Sequence, residues 1–359
     1  MSITFPHEFS DTFSIQASAP CRVNCGGTWD IPALALPFEW IKPTTVNIAI
    51  DLRTTVYLRK HEKRKIKISI NGVTLEEDAS STQMPLDAPL GLVKAIITHF
   101  GVDGIEVEIT SNAPPRSGLG GSGCVAVALI AALNEYRALH GIRKLSKQEV
   151  VLLAQGIENG LGVSISGLQD QAASAYGGVN QWIWRYSNLE EPFKRYPIIP
   201  ISRYEILEQH IIIAYVGLQH NSSDLNKIWL DSFISAKHRE IWFKIHENTY
   251  NFAKALKKEN WEQAAILLNQ ESDLRTIISP LMIPSNSLEL IDDAKALSCG
   301  TRFSGAGGGG CVWAIGEIDS IEKLKKNWSK RLRAYDGYIL ENKVARKGVL
   351  VTTRENHYV

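Results

Sequence analysis

NAPPRSGLGGSGC, residues 112–124, is the stretch that decides how this chain is read. It follows an alternating run, GIEVEIT at 104–110, and leads into the apolar run CVAVALIAAL at 124–133, so the local order is strand, glycine loop, helix. A loop this poor in side chains lets backbone N–H groups approach an anion. The helix that begins at its end adds unpaired N–H groups and a positive dipole end, so phosphate is the natural ligand. Gly118, Gly120 and Gly123 also satisfy GxGxxG, the dinucleotide-binding turn. That turn needs a second strand after the helix. Here SKQE at 146–149 is a capping box opening a second helix, with Val150, Val151, Leu152 and Ile157 as its apolar positions. A Walker-type loop is excluded because no Lys-Ser or Lys-Thr follows the glycines. A glycine turn without a ligand is the bland alternative, and it weakens only if other stretches agree.

The chain has 359 residues, 44% apolar, with 39 basic and 38 acidic side chains. That length accommodates two domains around one cleft. A net charge of +1 creates no field that would draw nucleic acid or an anionic membrane. The run at 124–133 is shorter than the roughly 18 residues of a membrane span, and the first twenty residues lack a signal-peptide pattern. The five cysteines, Cys21, Cys25, Cys124, Cys299 and Cys311, show no CxxC spacing, which argues against a disulfide framework or a zinc site. The expected compartment is cytoplasmic and the expected partner a small molecule, with no nucleic acid and no membrane; a homodimer is compatible.

Residues 1–11 read as a loose polar tail and 12–18 as a strand that continues through 21–25. The segment 26–40, GGTWDIPALALPFEW, reads as a loop because of its breakers. Runs at 44–51, 53–58 and 65–70 are β-branched and alternating, 90–100 is helical, and Gly101 stops that helix. Strands crowd ahead of helices, which points to an α+β fold with an antiparallel sheet. Further strands are expected at 178–186 and 209–216, a boundary near 196–202, and helices at 225–257, 261–270 and 288–297. Five glycines within 304–310 require close backbone approach.

Three stretches together carry a resemblance. Residues 115–122 resemble the PxxxGLxSS core of the GHMP small-molecule kinases, APCRVN at 19–24 resembles their first motif, and SGAGGGGC at 304–311 their third, in the family's order. Residues 167–180, GLQDQAASAYGGVN, and GGTWD at 26–30 look most like the sugar-1-kinase branch, with heptose-phosphate kinases and fucokinases. The resemblance implies a two-domain architecture: an ATP-binding domain over 1–198, like domain 2 of ribosomal protein S5, and a ferredoxin-like domain over 199–359.

It also implies roles. ATP would lie on Pro115, Arg116, Ser117, Gly118, Leu119, Gly120, Gly121, Ser122, Gly123 and Cys124, with Gly121 standing where the family keeps a serine. Ser122 and Glu158 would hold Mg²⁺; Ser122 at a helix start also reads as an N-cap. Asp170 would be the catalytic base, with Arg22 beside it and the transferred phosphate. Asp30 would accept two sugar hydroxyls, with Gly305, Gly307 and Gly308 on the substrate side. Trp29 reads as cover for its loop, and His220, Ser222 and Ser223 either face the cleft or form a polar turn. The implied reaction is ATP- and Mg²⁺-dependent phosphorylation of a sugar or sugar phosphate at its anomeric hydroxyl. Kinases of homoserine or mevalonate, an inactive sugar-binding homologue and a dehydrogenase are the competing readings.

Overall fold

A computed structural model describes residues 7–9, 13–78, 86, 90–162, 165–218, 222–280 and 283–355. Its spine is one long strand, Thr44–Lys60, where the sequence pattern suggested two. Along one edge it pairs antiparallel with Phe13–Cys25; along the other, its first part pairs with Val179–Trp184 and its last part with Ile105–Ser111. Residues 44–50 are buried on both faces, whereas 52–58 alternate between buried and half-buried, as a strand covered on one side must. The register between Phe13–Cys25 and the spine shifts at Pro20/Cys21, where proline has no N–H to give to the ladder. The sheet is not wholly antiparallel: Lys65–Ile70 runs parallel to Ile105–Ser111 before the Asn71-Gly72 turn returns the chain through Val73–Asp78.

Helix Gly121–Leu139 lies on the spine and on Phe13–Cys25, with Gly91–Phe100, Lys147–Gly160 and Gln169–Tyr176 around it. By length and composition it could cross a membrane, but it is a core helix: Val127, Leu129, Ile130 and Leu133 are fully buried. The capping box at Ser146 and Glu149 forms as the sequence indicates. The N-terminal segment is not entirely loose, because Phe9 is buried and stacks on Tyr136 at 4.5 Å.

The second unit is built on a four-stranded antiparallel sheet ordered Gly300–Phe303, Cys311–Ile315, Ile211–Tyr215, Tyr338–Leu340, the ferredoxin-like order. Alternation divides its strands between two cores. Ile212, Ala214, Val312 and Ala314 pack with Leu324 and Trp328 of Ile318–Leu332, whereas Ile213, Trp313 and Ile315 share a core with Phe252 and Leu268. The chain then returns: Leu350–Glu355 pairs with Phe13–Ser18 at the edge of the first sheet. The last strand of the chain is thus hydrogen-bonded into the first sheet rather than the second.

Segment 26–40 is more ordered than a loop. Pro32 opens the short helix Pro32–Ala35, and a 3₁₀ turn spans Leu36–Ile41. Trp29 is fully buried with Trp229, Phe233 and Trp242, and its Nε1 donates to the Trp242 carbonyl at 3.1 Å. It covers the loop, and this aromatic cluster fastens the loop to helices Ser222–Ile234 and Arg239–Lys257 of the second unit.

Candidate active site

The glycine loop, the 26–30 turn, the start of Gln169–Tyr176 and the glycine run at 305–306 meet around a cleft of about 500 Å³. The bulge at Pro20/Cys21 comes just before Arg22, whose buried guanidinium reaches three elements. Its Nε and Nη2 donate to Asp170 Oδ1 at 2.8 and 2.6 Å, and its Nη1 donates to the Gly118 carbonyl at 2.5 Å and to Ser304 Oγ at 3.4 Å. Asp170, in the first turn of its helix, retains a side-chain exposure of 19%, enough to meet a substrate. The two residues assigned to catalysis are thus one ion pair at the cleft wall.

The glycine loop reaches its shape through left-handed backbone at Arg116, Gly118 and Gly120, with φ of 50°, 73° and 81°. A Cβ on Gly120 would sit 3.3 Å from the Asp170 carboxyl carbon, so glycine lets the loop run against the Asp170 side chain. The N-cap of Gly121–Leu139 is Gly120 and no side chain caps it, which leaves first-turn N–H groups free for an anion. Ser122 is therefore not an N-cap. Its Oγ donates to Glu158 Oε1 at 2.6 Å, and the other oxygen of this buried carboxylate accepts from Gln171 Nε2 at 2.7 Å.

Pro115, Arg116, Ser117, Gly118, Gly120, Gly121 and Ser122 line the cleft; Leu119, Gly123 and Cys124 do not. Leu119 is buried with its carbonyl accepting from the Arg22 N–H, and Gly123 packs on Asp170. Cys124 turns its thiol inward to the Pro20 carbonyl and Ser174 Oγ. Gly305 lines the cleft, but Gly307 and Gly308 do not; a Cβ on Gly308 would meet Leu225 instead. The run at 304–310 closes onto the glycine loop as its glycines demanded. The Cys311 N–H donates to the Ser117 carbonyl at 2.9 Å, Ser304 Oγ donates to the Gly118 carbonyl at 3.1 Å, and a Cβ on Gly310 would lie 2.5 Å from the Ser117 carbonyl carbon.

Asp30 is buried at the opposite wall. Oδ1 accepts from the Thr28 N–H at 3.1 Å and Gln169 Nε2 at 2.9 Å, and Oδ2 from the Gln169 N–H at 3.2 Å, while Tyr186 donates to its backbone carbonyl. Burial, and then the charge of Asp170, pushes its carboxyl up to about 7. Three of about four lone-pair positions on Asp30 are used, which leaves one open. His220 lies outside the described residues, as do the side chains of Ser222 and Ser223.

Sequence reading missed the polar groups behind this wall. Asn24 and Asn47 both donate to Gln169 Oε1, at 3.0 and 3.3 Å. Glu271, fully buried, accepts from Arg275 Nε at 2.7 Å and Arg302 Nε at 2.8 Å, and Arg275 Nη2 donates to the Gly27 carbonyl at 2.5 Å. Glu271 and Arg275 at i, i+4 look like a surface pair; only the apolar residues flanking them hinted at burial.

Two family models match the chain: the GHMP kinases N terminal domain over 88–178 and the GHMP kinases C terminal domain over 252–334. A D-glycero-alpha-D-manno-heptose 7-phosphate kinase of Campylobacter jejuni is 28% identical, covering 94% of this chain and 98% of that protein. A mevalonate kinase of Pyrococcus furiosus is 24% identical, covering 93% and 97%. Among solved structures, a Lactococcus lactis galactokinase complexed with galactose superposes with a TM-score of 0.72 at 19% identity, covering 94% of this chain and 95% of that one. Relatives acting on a sugar phosphate and on mevalonate stand at comparable identity, so the acceptor has to be argued from the cleft.

Proposed function

The chain is a kinase carrying the N- and C-terminal domains of the GHMP family, and from that premise we propose that its cleft transfers the terminal phosphoryl group of ATP to the anomeric hydroxyl of a monosaccharide or sugar phosphate. The observation that carries this reading is the placement of two acids. Asp170 is held by Arg22 beside an uncapped helix N-terminus, and Asp30 faces the same cleft with a spare acceptor position. In this reading the free N–H groups at 121–123 and the Arg116 guanidinium hold ATP phosphates, Asp170 takes the proton of the attacking hydroxyl, and Arg22 offsets charge that develops nearby. An anomeric hydroxyl is more acidic than an ordinary alcohol, which suits a carboxylate base.

The oxygens of Ser122 and Glu158 fit Mg²⁺, which takes one or two carboxylates and fills its remaining positions with phosphate and water. Bound there, the ion would neutralise charge on the phosphate oxygens. Asp30 then selects the acceptor, because a site built to hydrogen-bond a hydroxyl rejects analogues lacking it by about 10⁴-fold or more.

The test is an acceptor panel with ATP and Mg²⁺, comprising D-galactose, a mannoheptose 7-phosphate, homoserine and mevalonate, with products examined by phosphorus NMR. An acid-labile phosphate coupled to an anomeric proton supports the reading. Phosphate on a primary alcohol, or efficient turnover of mevalonate or homoserine, overturns it.

A further inference from the structure

Glu271 anchors Arg302 of the second unit, and from the Arg302 guanidinium a line of side-chain hydrogen bonds runs to Asp30 with each donor facing Asp30. Arg302 Nε donates to Glu271 Oε2 at 2.8 Å, and Arg302 Nη1 donates to Asn24 Oδ1 at 2.9 Å. Asn24 Nδ2 donates to Gln169 Oε1 at 3.0 Å, and Gln169 Nε2 donates to Asp30 Oδ1 at 2.9 Å. An amide can ordinarily be turned end for end. Here it cannot, because the Arg302 guanidinium only donates: it takes the Asn24 oxygen, which leaves the Asn24 amide N–H for the Gln169 oxygen and the Gln169 amide N–H for Asp30. Both amides are therefore fixed from the Arg302 end of the line. The line also occupies space that any other residue at 27 would need: a Cβ on Gly27 would lie 2.3 Å from Asn24 Nδ2 and 3.0 Å from Gln169 Nε2.

We propose that Asn24 and Gln169 are positioning residues for acceptor recognition: they relay the polarity of Arg302 to Asp30 and keep its last acceptor position turned to the cleft. The proposal rests on Asp30 being an acceptor-binding residue. Burying a line of polar groups gains little stability over apolar packing, whereas a one-directional line fixes which way a carboxylate is solvated. Through this line the second unit sets the acceptor wall of the first. The nucleotide side, built on Arg116 to Ser122, lies outside the relay, so acceptor and ATP affinities separate.

Two variants at Asn24 test this. Asn24→Asp keeps an oxygen for Arg302 but replaces the shorter of the two donors to Gln169 Oε1 with an acceptor, leaving only Asn47 at 3.3 Å, so the Gln169 amide turns and presents its oxygen to Asp30. Asn24→Leu removes the same donor without adding charge. The titration of Asp30 is followed by carbon-13 NMR of aspartate-labelled protein, with Asp30→Asn identifying the signal. Neither variant touches Asp170, Arg22 or Tyr186, the other titratable groups around Asp30. Both variants are expected to move the Asp30 midpoint upward, Asn24→Asp by about 1 pH unit and Asn24→Leu by less. With D-galactose and mannoheptose 7-phosphate as probes, the acceptor KM is expected to rise tenfold or more in Asn24→Asp, with the ATP KM within twofold and melting near wild type. If Asn24→Leu leaves both the Asp30 titration and the acceptor KM unchanged, the relay is overturned and the amides are only buried packing. If Asp30→Asn leaves the acceptor KM unchanged, the acceptor role of Asp30 fails, and the recognition half of the proposal with it.

Discussion

Glu271→Gln is the substitution whose cost the structure defines best. The carboxylate is fully buried, with Arg275 and Arg302, themselves fully buried, at 2.7 and 2.8 Å. Neutralising it leaves two buried guanidinium charges without a counter-ion, and Arg302 Nη2 already lacks a partner. Removing one member of such a set costs about 3–5 kcal/mol. Gln retains one oxygen acceptor, and the Arg275 guanidinium keeps the faces of Trp229 and Trp242 at 5.2 and 5.1 Å, so the lower figure applies, about 3 kcal/mol. With a urea slope of about 3 kcal/mol per molar, the unfolding midpoint falls by about 1 M. The acidity dependence has a definite sign. Burial alone would raise the Glu271 carboxyl, but Arg275 and Arg302 outweigh it and hold the group below its ordinary value of 4.5. The stability it contributes is thus fully present above pH 4.5 and is lost as pH falls through the lowered value, where wild type and variant converge. A midpoint shift below about 0.3 M at pH 7, equivalent to under about 1 kcal/mol, would refute this account of the triad.

Ser122→Ala is expected to lower turnover and its Mg²⁺ dependence while stability changes by less than about 1 kcal/mol, because Gly120 and not Ser122 occupies the N-cap; magnesium titration of turnover beside thermal melting checks it. Gly310→Ala forces a side chain at φ 79° against the Ser117 backbone and should cost about 1–2 kcal/mol while raising the ATP KM, measured by denaturation and initial rates. Asp30, raised to about 7 from 3.8, binds more protons folded than unfolded, so it lowers stability progressively as pH rises between those values. Asp30→Asn should therefore melt higher than wild type at pH 8, the difference vanishing near pH 4, while its acceptor KM rises.

The three motifs were legible because their chemistry is local. A run such as 304–310 has no use except close backbone approach, and it does meet the Ser117 backbone. Asp170 was legible because an acid ahead of AASAYGG has to be buried with a partner, and Arg22 is that partner. What sequence did not yield depends on which way a side chain turns. Cys124 belongs to the loop in sequence but to the core in space, and Gly308 packs against Leu225 although its neighbour Gly305 lines the cleft. The pairing of Leu350–Glu355 with Phe13–Ser18 joins the two ends of the chain, a register no local pattern encodes. Arg302 and Glu271 were hidden for the same reason, since charged residues on a strand and a helix read as surface until a third segment covers them.

The central claim is that Asp170 takes the proton of an acceptor hydroxyl as the phosphoryl group leaves ATP. Rapid-quench single turnover with γ-labelled ATP and the best acceptor of the panel, comparing wild type with Asp170→Asn, tests it most directly. The account predicts that nucleotide binding is retained and that the transfer step slows by about 10²-fold or more, with loss of the acidic limb of the pH–rate profile. An Asp170→Asn enzyme that transfers phosphate at the wild-type rate with an unchanged pH profile would contradict it.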